Sequence, residues 1–180
     1  MNFLEWDIFL LRKIYNPFYL EQTNLFVSLI FSIYLFLLFL IYFHYKKKHY
    51  SKVKHLLISS FSGYCFVAFL KFLIGRKRPY EVVPGIVSGI IKSDPSFPSA
   101  HSFLSFLMFS FVPKTLPWKF RIPIYLYLLA IPIANLVIGV HFPSDVVAGS
   151  ILGLIWPRIV NERFCSKIFK KIGGLRKWRK

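Results

Sequence analysis

Leu25 to Phe43 reads LFVSLIFSIYLFLLFLIYF, 19 residues without a charge. A bilayer core about 30 Å thick takes roughly 20 apolar residues in a helix, so this stretch predicts a membrane span. The basic run Lys46-Lys47-Lys48-His49-Tyr50-Ser51-Lys52-Val53-Lys54-His55 stops it. Composition agrees with that reading. The 180 residues suit one domain on length alone, but 56% hydrophobic and 19% aromatic residues are too many for an ordinary soluble one.

The net charge of +17 would raise nucleic acid as a partner if the basic residues shared a soluble face. They lie instead in short blocks between apolar runs, as at the cytoplasmic flanks of membrane helices beside anionic lipid. The bilayer is therefore the expected partner, and nucleic acid is not. Cys65, inside an apolar run, and Cys165, in the basic tail, lack metal-ligand spacing and disulfide density, so both are expected as free thiols. No basic region or small-residue cleavage site marks a signal peptide, and the first span is expected to be retained as the targeting signal.

Upstream of the first span, Asn2 to Tyr15 mixes Phe3, Leu4, Trp6, Ile8, Leu10 and Leu11 with Glu5, Asp7, Arg12 and Lys13. It is too short and too charged to cross. Trp6 and Tyr15 suit the headgroup level, so residues 1–24 are expected to hold an interfacial amphipathic helix ending near Asn16-Pro17. The alternative is a frayed first turn of the next helix. Downstream, Leu56 to Ile74 predicts a second span, with Lys71 in its last turns and Gly75 and Pro79 ending it. Pro98 to Val112 predicts a third helix with proline at a favoured first position, thin for a span unless tilted. Ile122 to Val140 predicts a fourth, bent by Pro123 and Pro132. A fifth runs from Pro143 to Trp156, where Gly149, Ser150 and Gly153 allow close helix approach in lipid. Residues 75–97 are polar, rich in Gly and Pro, and form an external loop; residues 161–180 are a basic tail. The expected fold is all-α: one polytopic membrane bundle with its core at 25–160, about five transmembrane helices, and the N-terminal interfacial helix.

Five spans put alternate loops on opposite sides. Lys46, Lys47, Lys48, Lys52, Lys54, Lys114, Lys119, Arg121 and nine basic residues from Arg158 to Lys180 fall on one side, 17 in all. Arg12, Lys13, Lys71, Arg76, Lys77, Arg78 and Lys92, which is 7, fall on the other. The first side, with the C-terminal tail, is cytoplasmic by the positive-inside rule. Lys71, Arg76, Lys77, Arg78, Ser99, His101, His141 and Asp145 then share the non-cytoplasmic face. None of them was used to assign the spans.

Their chemistry suggests an anion site. Lys71 alone could simply snorkel, but Lys71 and Arg78 are seven residues apart and can converge on one anion, Arg as a planar fork and Lys as a point charge. Pro98-Ser99-Ala100-His101 sets a hydroxyl and orphan backbone N–H groups at a helix N-terminus, where phosphate binds. His101 is as well suited to a general-acid role as to a hydrogen-bonded interface. His141, with Asp145 four residues on, is a nucleophile or base beside its own orienting carboxylate, unless the pair only caps a helix. Beyond Asp145, only Asp94 and Glu81 could bring a second carboxylate here, and no cysteine is near. A metal centre would be poorly supplied with ligands, and no cofactor is expected. The cationic set suits metal-independent attack on phosphorus.

Lys71 with Arg78-Pro79, then Pro98-Ser99-Ala100-His101, then His141 with Asp145 resemble the three-part signature of the type 2 phosphatidic acid phosphatase superfamily of membrane lipid phosphatases. The resemblance covers roughly residues 56–160. It implies that Lys71, Arg78 and Ser99 bind phosphate with the Ala100 backbone, that His101 protonates the leaving group, and that His141 forms a phosphohistidine while Asp145 orients it. The substrates it implies are undecaprenyl diphosphate, phosphatidylglycerol phosphate, phosphatidic acid or lipid A 1-phosphate, at the outer face of an inner membrane. Two positions depart from the family pattern. Ala100 stands where glycine is usual, and Ala134-Asn135 stands where the family has Ser-Arg, so Asn135 would meet phosphate without a charge. That loss could cost on the order of 2–4 kcal/mol of transition-state stabilisation, unless Arg76 or Lys77 compensates. It leaves open a weak or silent relative that binds or moves lipid phosphates. A vanadate-dependent haloperoxidase shares the anion site, but five apolar spans argue against it.

Overall fold

The computed structural model describes residues 3–17, 23–161 and 163–165; most of the basic tail lies outside them. Seven helices follow in order: α1 Phe3–Ile14, α2 Thr23–Lys46, α3 Tyr50–Ile74, α4 Pro79–Val82, α5 Ala100–Phe109, α6 Trp118–Val137 and α7 Pro143–Ile159. All five apolar segments are helical, and the described residues contain no strand. Three helices, α2, α3 and α6, are long and apolar enough to cross a membrane.

α5 has ten residues, about 15 Å of helix, and cannot cross a 30 Å core unaided. It is instead the buried centre of the bundle. Phe103, Leu107 and Met108 have no exposed surface and join Ile33 and Leu40 of α2, Leu56 and Val67 of α3, and Leu128 and Ile131 of α6 in one core cluster. A helix apolar on every side is stable only when surrounded. Against α7 the approach is close enough that only glycine fits. A Cβ on Gly149 would lie 2.4 Å from the Ser99 carbonyl oxygen, and one on Gly153 2.2 Å from that of Phe103. The outward faces carry Leu35, Leu38, Phe61, Phe69, Phe72, Leu126, Ile133 and Ile151, as a lipid-facing bundle requires.

Several polar side chains inside the bundle pair with groups from distant parts of the chain. His55 Nε2 lies 3.0 Å from the Pro157 carbonyl oxygen, His44 Nε2 2.9 Å from that of Phe111, and Trp156 Nε1 donates to Ser62 Oγ at 3.0 Å. Such bonds replace the water that lipid does not supply.

The boundaries differ from expectation in several places: α5 ends at Phe109 and α6 runs Trp118–Val137. The basic stretch after α2 is largely helical: only residues 47–49 interrupt it, and Lys52 and Lys54 ride on the first turns of α3. Pro98 does not open α5. It follows a cis peptide bond, Ser99 is the N-cap, and the helix begins at Ala100. A serine oxygen can accept from the helix's orphan N–H groups, which proline's ring cannot do.

Candidate active site

Two turns end their helices by glycine and aim the site. Gly75 caps α3 in the left-handed conformation at φ 61, and its N–H donates to the Lys71 carbonyl at 2.9 Å. Gly139, at φ 70, turns the chain between α6 and His141; a Cβ there would meet Ile86 at 2.9 Å. Left-handed geometry at both positions favours glycine.

Arg78, 1% exposed, is held by four oxygens. Its Nε donates to the Asp94 carbonyl at 2.9 Å, Nη1 to the Val140 carbonyl at 2.8 Å, and Nη2 to Asp94 Oδ1 at 2.9 Å and the Pro95 carbonyl at 3.4 Å. Lys71 Nζ lies 2.9 Å from Asp94 Oδ2 and also donates to the Pro95 carbonyl. A buried cation is tolerable only with this kind of pairing. One carboxylate, Asp94, thus braces both cations from the loop between α4 and α5. Burial raises the Asp94 carboxyl, but hydrogen bonding and charge from Lys71, with Arg78, outweigh it and hold the group at about 2.

His141 lies just ahead of α7 and is 1% exposed. Its Nδ1 is 3.4 Å from both Asp145 Oδ2 and Ser96 Oγ. The other ring nitrogen, Nε2, is outside this pairing. Burial lowers His141 to about 4, against the raising effect of Asp145, and Arg78 and Lys71 lower it further. The ring is therefore neutral near pH 7, as a nucleophile requires. Asp145 both faces the His141 ring and caps α7. Its Oδ2 accepts from Phe142 N at 2.9 Å and from Ser96 Oγ, and its Oδ1 accepts from Arg76 at 2.7 Å. The helix-cap and orienting-carboxylate readings of this residue are compatible.

A cavity of about 310 Å³ gathers Lys71, Arg78, Lys92, Asp94, His101 and His141, walled by Tyr34, Tyr64, Val67, Ala68, Phe72 and Ala100. Its volume is at the small end for ligand pockets. His101 packs edge-on against Phe31 and Tyr34 of α2, with ring centroids 6.0 Å apart in both cases. Its Nε2 is buried without a hydrogen-bond partner.

Ser99 and Asn135 do not line that cavity. Ser99 is fully buried, and its Oγ accepts from Ser102 N at 3.4 Å and Ser102 Oγ at 3.0 Å. Its backbone N donates to the Asp145 carbonyl at 3.0 Å, which ties α5 to α7. Asn135 donates to the Ile131 carbonyl of its own helix at 2.9 Å, and its Oδ1 is buried without a partner. Of the two cations that could have compensated, Lys77 is exposed and Arg76 is taken up by Asp145 and Asp7.

Sequence reading passed over Lys92, Ser96, Tyr34 and Tyr64 as site residues. Lys92 and Ser96 sit in a loop with no motif to mark them. Tyr34 and Tyr64 carry the signal of a phenol inside an apolar span. Burial lowers Lys92 to about 8, with Arg78 and Lys71 adding to the effect and Asp94 opposing it. Among the described residues, no group of three or more His, Cys, Asp or Glu is placed to hold a metal ion.

Fold and cavity together define an integral membrane helical-bundle protein with a buried, cationic anion site containing two histidines. The PAP2 superfamily model matches residues 52–164, and the chain belongs to that superfamily. Two solved structures share the fold. The crystal structure of Aquifex aeolicus LpxE superposes with a TM-score of 0.70 at 24% identity, covering 85% of this chain and 93% of that one. That of the first transmembrane PAP2 type phosphatidylglycerolphosphate phosphatase from Bacillus subtilis gives a TM-score of 0.64 at 23% identity, covering 92% and 87%.

Proposed function

We propose that the protein is a lipid phosphate phosphatase that hydrolyses a phosphate or pyrophosphate monoester of a membrane lipid through a phosphohistidine. The observation that carries this reading is the meeting of Lys71, Arg78, His101 and His141 in one cavity, with Asp145 behind the His141 ring. Lys71 and Arg78 neutralise the phosphoryl oxygens. His141 Nε2 donates its lone pair to phosphorus while the bond to the lipid oxygen breaks, and His101 gives that oxygen a proton. Water then attacks the phosphohistidine, His101 takes a proton from it, and inorganic phosphate and neutral His141 are regenerated. The Ala100 N–H at the start of α5 completes the phosphate site, since Ala100 lines the cavity and Ser99, buried beneath it, holds the turn through Ser102. The site lies at the outer face of the inner membrane, the tail in the cytoplasm.

The name of one similar protein, a phosphatidylglycerolphosphate phosphatase, supports a lipid phosphate substrate, and the candidates are phosphatidylglycerol phosphate, lipid A 1-phosphate, undecaprenyl diphosphate and phosphatidic acid. The test is phosphate release from these four lipids by detergent-purified protein in chelator. Release by the parent and its loss in His141→Ala are expected; no release from any lipid, with His141→Ala like the parent, sinks the enzyme reading.

A second reading, a weak or silent relative that binds or moves lipid phosphates, is favoured by Asn135, which bonds within its own helix. Asn135→Arg separates the two readings. A large gain of turnover supports the silent relative, and a modest change supports the competent enzyme.

A further inference from the structure

Arg76 lies between two carboxylates. Its Nη1 donates to Asp145 Oδ1 at 2.7 Å and to Ser144 Oγ at 2.6 Å, and its Nη2 donates to Asp7 Oδ2 at 2.6 Å. The guanidinium also stacks on the Phe142 ring, 4.0 Å from its centroid. Asp7, from α1, is only 4% exposed. Besides Arg76 it accepts from Ser144 N at 2.9 Å and from Ser144 Oγ. One α1 carboxylate therefore holds both the cation on Asp145 and the backbone one residue before Asp145.

The seating of α1 is specific. Leu11 has no exposed surface and packs with Val83, Ile86 and Phe142. Tyr15 Oη donates to the Val87 carbonyl at 3.0 Å and accepts from Val87 N at 3.1 Å. Burying a carboxylate costs several kcal/mol unless it is paired, and the partners that pair Asp7 are Arg76 and Ser144, both in contact with or adjacent to Asp145.

We propose that Asp7 is a positioning residue for the phosphatase reaction, acting through Arg76 and Ser144 to fix the orientation and charge of the Asp145 carboxylate that faces His141. The inference rests on the lipid phosphatase reading. The other ionisable groups around His141 are Lys71 of α3, Arg78 at the head of α4, Lys92 and Asp94 of the loop, and His101 of α5. All of these are left intact by changes at positions 7 and 76.

The experiment is steady-state phosphate release by the full chain in detergent micelles, with phosphatidic acid and with a water-soluble aryl phosphate, across a pH series. The variants are Asp7→Asn, Arg76→Gln, the double variant and His141→Ala. Misplacing the orienting group should lower kcat about 10- to 100-fold in Asp7→Asn with KM changed by about twofold or less. Neutralising Asp7 leaves the Arg76 charge less balanced beside Asp145, which weakens the carboxylate's support of a charged His141 ring, so the acid limb of the pH profile moves to lower pH. Neutralising Arg76 leaves two carboxylates and moves it to higher pH. Each displacement should be about half a unit or more, and the double variant should return toward the parental limb.

Displacements in the same direction, or Asp7→Asn matching the parent in kcat and limb while His141→Ala is inactive, would overturn the proposal and leave Asp7 as a fastening for α1. If Asp7→Asn does not fold, Arg76→Lys decides the matter. It keeps the charge without the fork, so a parental acid limb with a lowered kcat supports positioning, and an unchanged kcat overturns it. His141→Ala releasing phosphate like the parent would defeat the phosphatase reading itself, a result distinct from the others.

Discussion

His141 shows what burial does to one side chain. Its folded-state value of about 4 lies below the ordinary 6.5 of an unfolded histidine. Protons therefore bind the unfolded chain first as pH falls, and stability present above about pH 6.5 is lost progressively toward pH 4. The difference amounts to as much as about 3 kcal/mol. Melting temperatures in detergent at pH 7.5 and pH 4.5 should differ less in His141→Gln than in the parent; an equal difference would show that His141 is not the group responsible. Residues of this kind were legible in the sequence, since Lys71, Arg78, His101 and His141 are ionisable groups at the ends of apolar runs, where such groups are costly. The orientation of Asn135 was not. An amide on α6 can face a cavity or the carbonyl four residues back, and packing against neighbouring helices decides between them. Nor was the Asp7–Arg76 pair, because 69 positions separate its partners and neither residue belongs to a motif.

At the scale of helices, α5 and α7 form the frame on which the site is aligned. The Ser99 N–H to Asp145 carbonyl bond joins the turn that opens α5 to the start of α7, just past His141. That bond depends on the glycine faces beneath it. The small residues of α7 were readable as a packing signal, whereas the ten-residue α5 buried at the bundle's centre was not, because hydropathy alone cannot separate a helix surrounded by protein from one surrounded by lipid. Gly149→Ala sets a methyl group against the Ser99 carbonyl, where neither backbone can yield easily. Overpacking of this kind should cost about 1–3 kcal/mol and lower phosphate release by displacing Ser99 and Asp145 together. Ile151→Ala, on the outward face, should change the melting temperature little. Equal effects from the two substitutions would mean that the α5–α7 contact is not the constraint.

For the whole molecule, the proposed orientation of the bundle in the membrane makes a prediction that labelling can check. The site opens at the ends of α3, α5 and α7 that lie away from the Lys46–Lys48 run, and the proposed orientation, argued from the 17-to-7 division of basic residues, would put that run in the cytoplasm. The lipid phosphate would then be met on the outer leaflet, with its chains still in the bilayer. Lys77 and Lys47 are both exposed and sit at opposite ends of α3, while Cys65 and Cys165 form no disulfide and can be replaced by serine to give a cysteine-free background. In that background, Lys77→Cys should react with a membrane-impermeant maleimide added to intact spheroplasts, and Lys47→Cys should react only after lysis. The reverse pattern would put the cavity on the cytoplasmic leaflet and exclude every substrate confined to the outer one. It would leave the chemistry at His141 untouched, because the cavity's cations and histidines are fixed by the fold and not by the membrane's polarity.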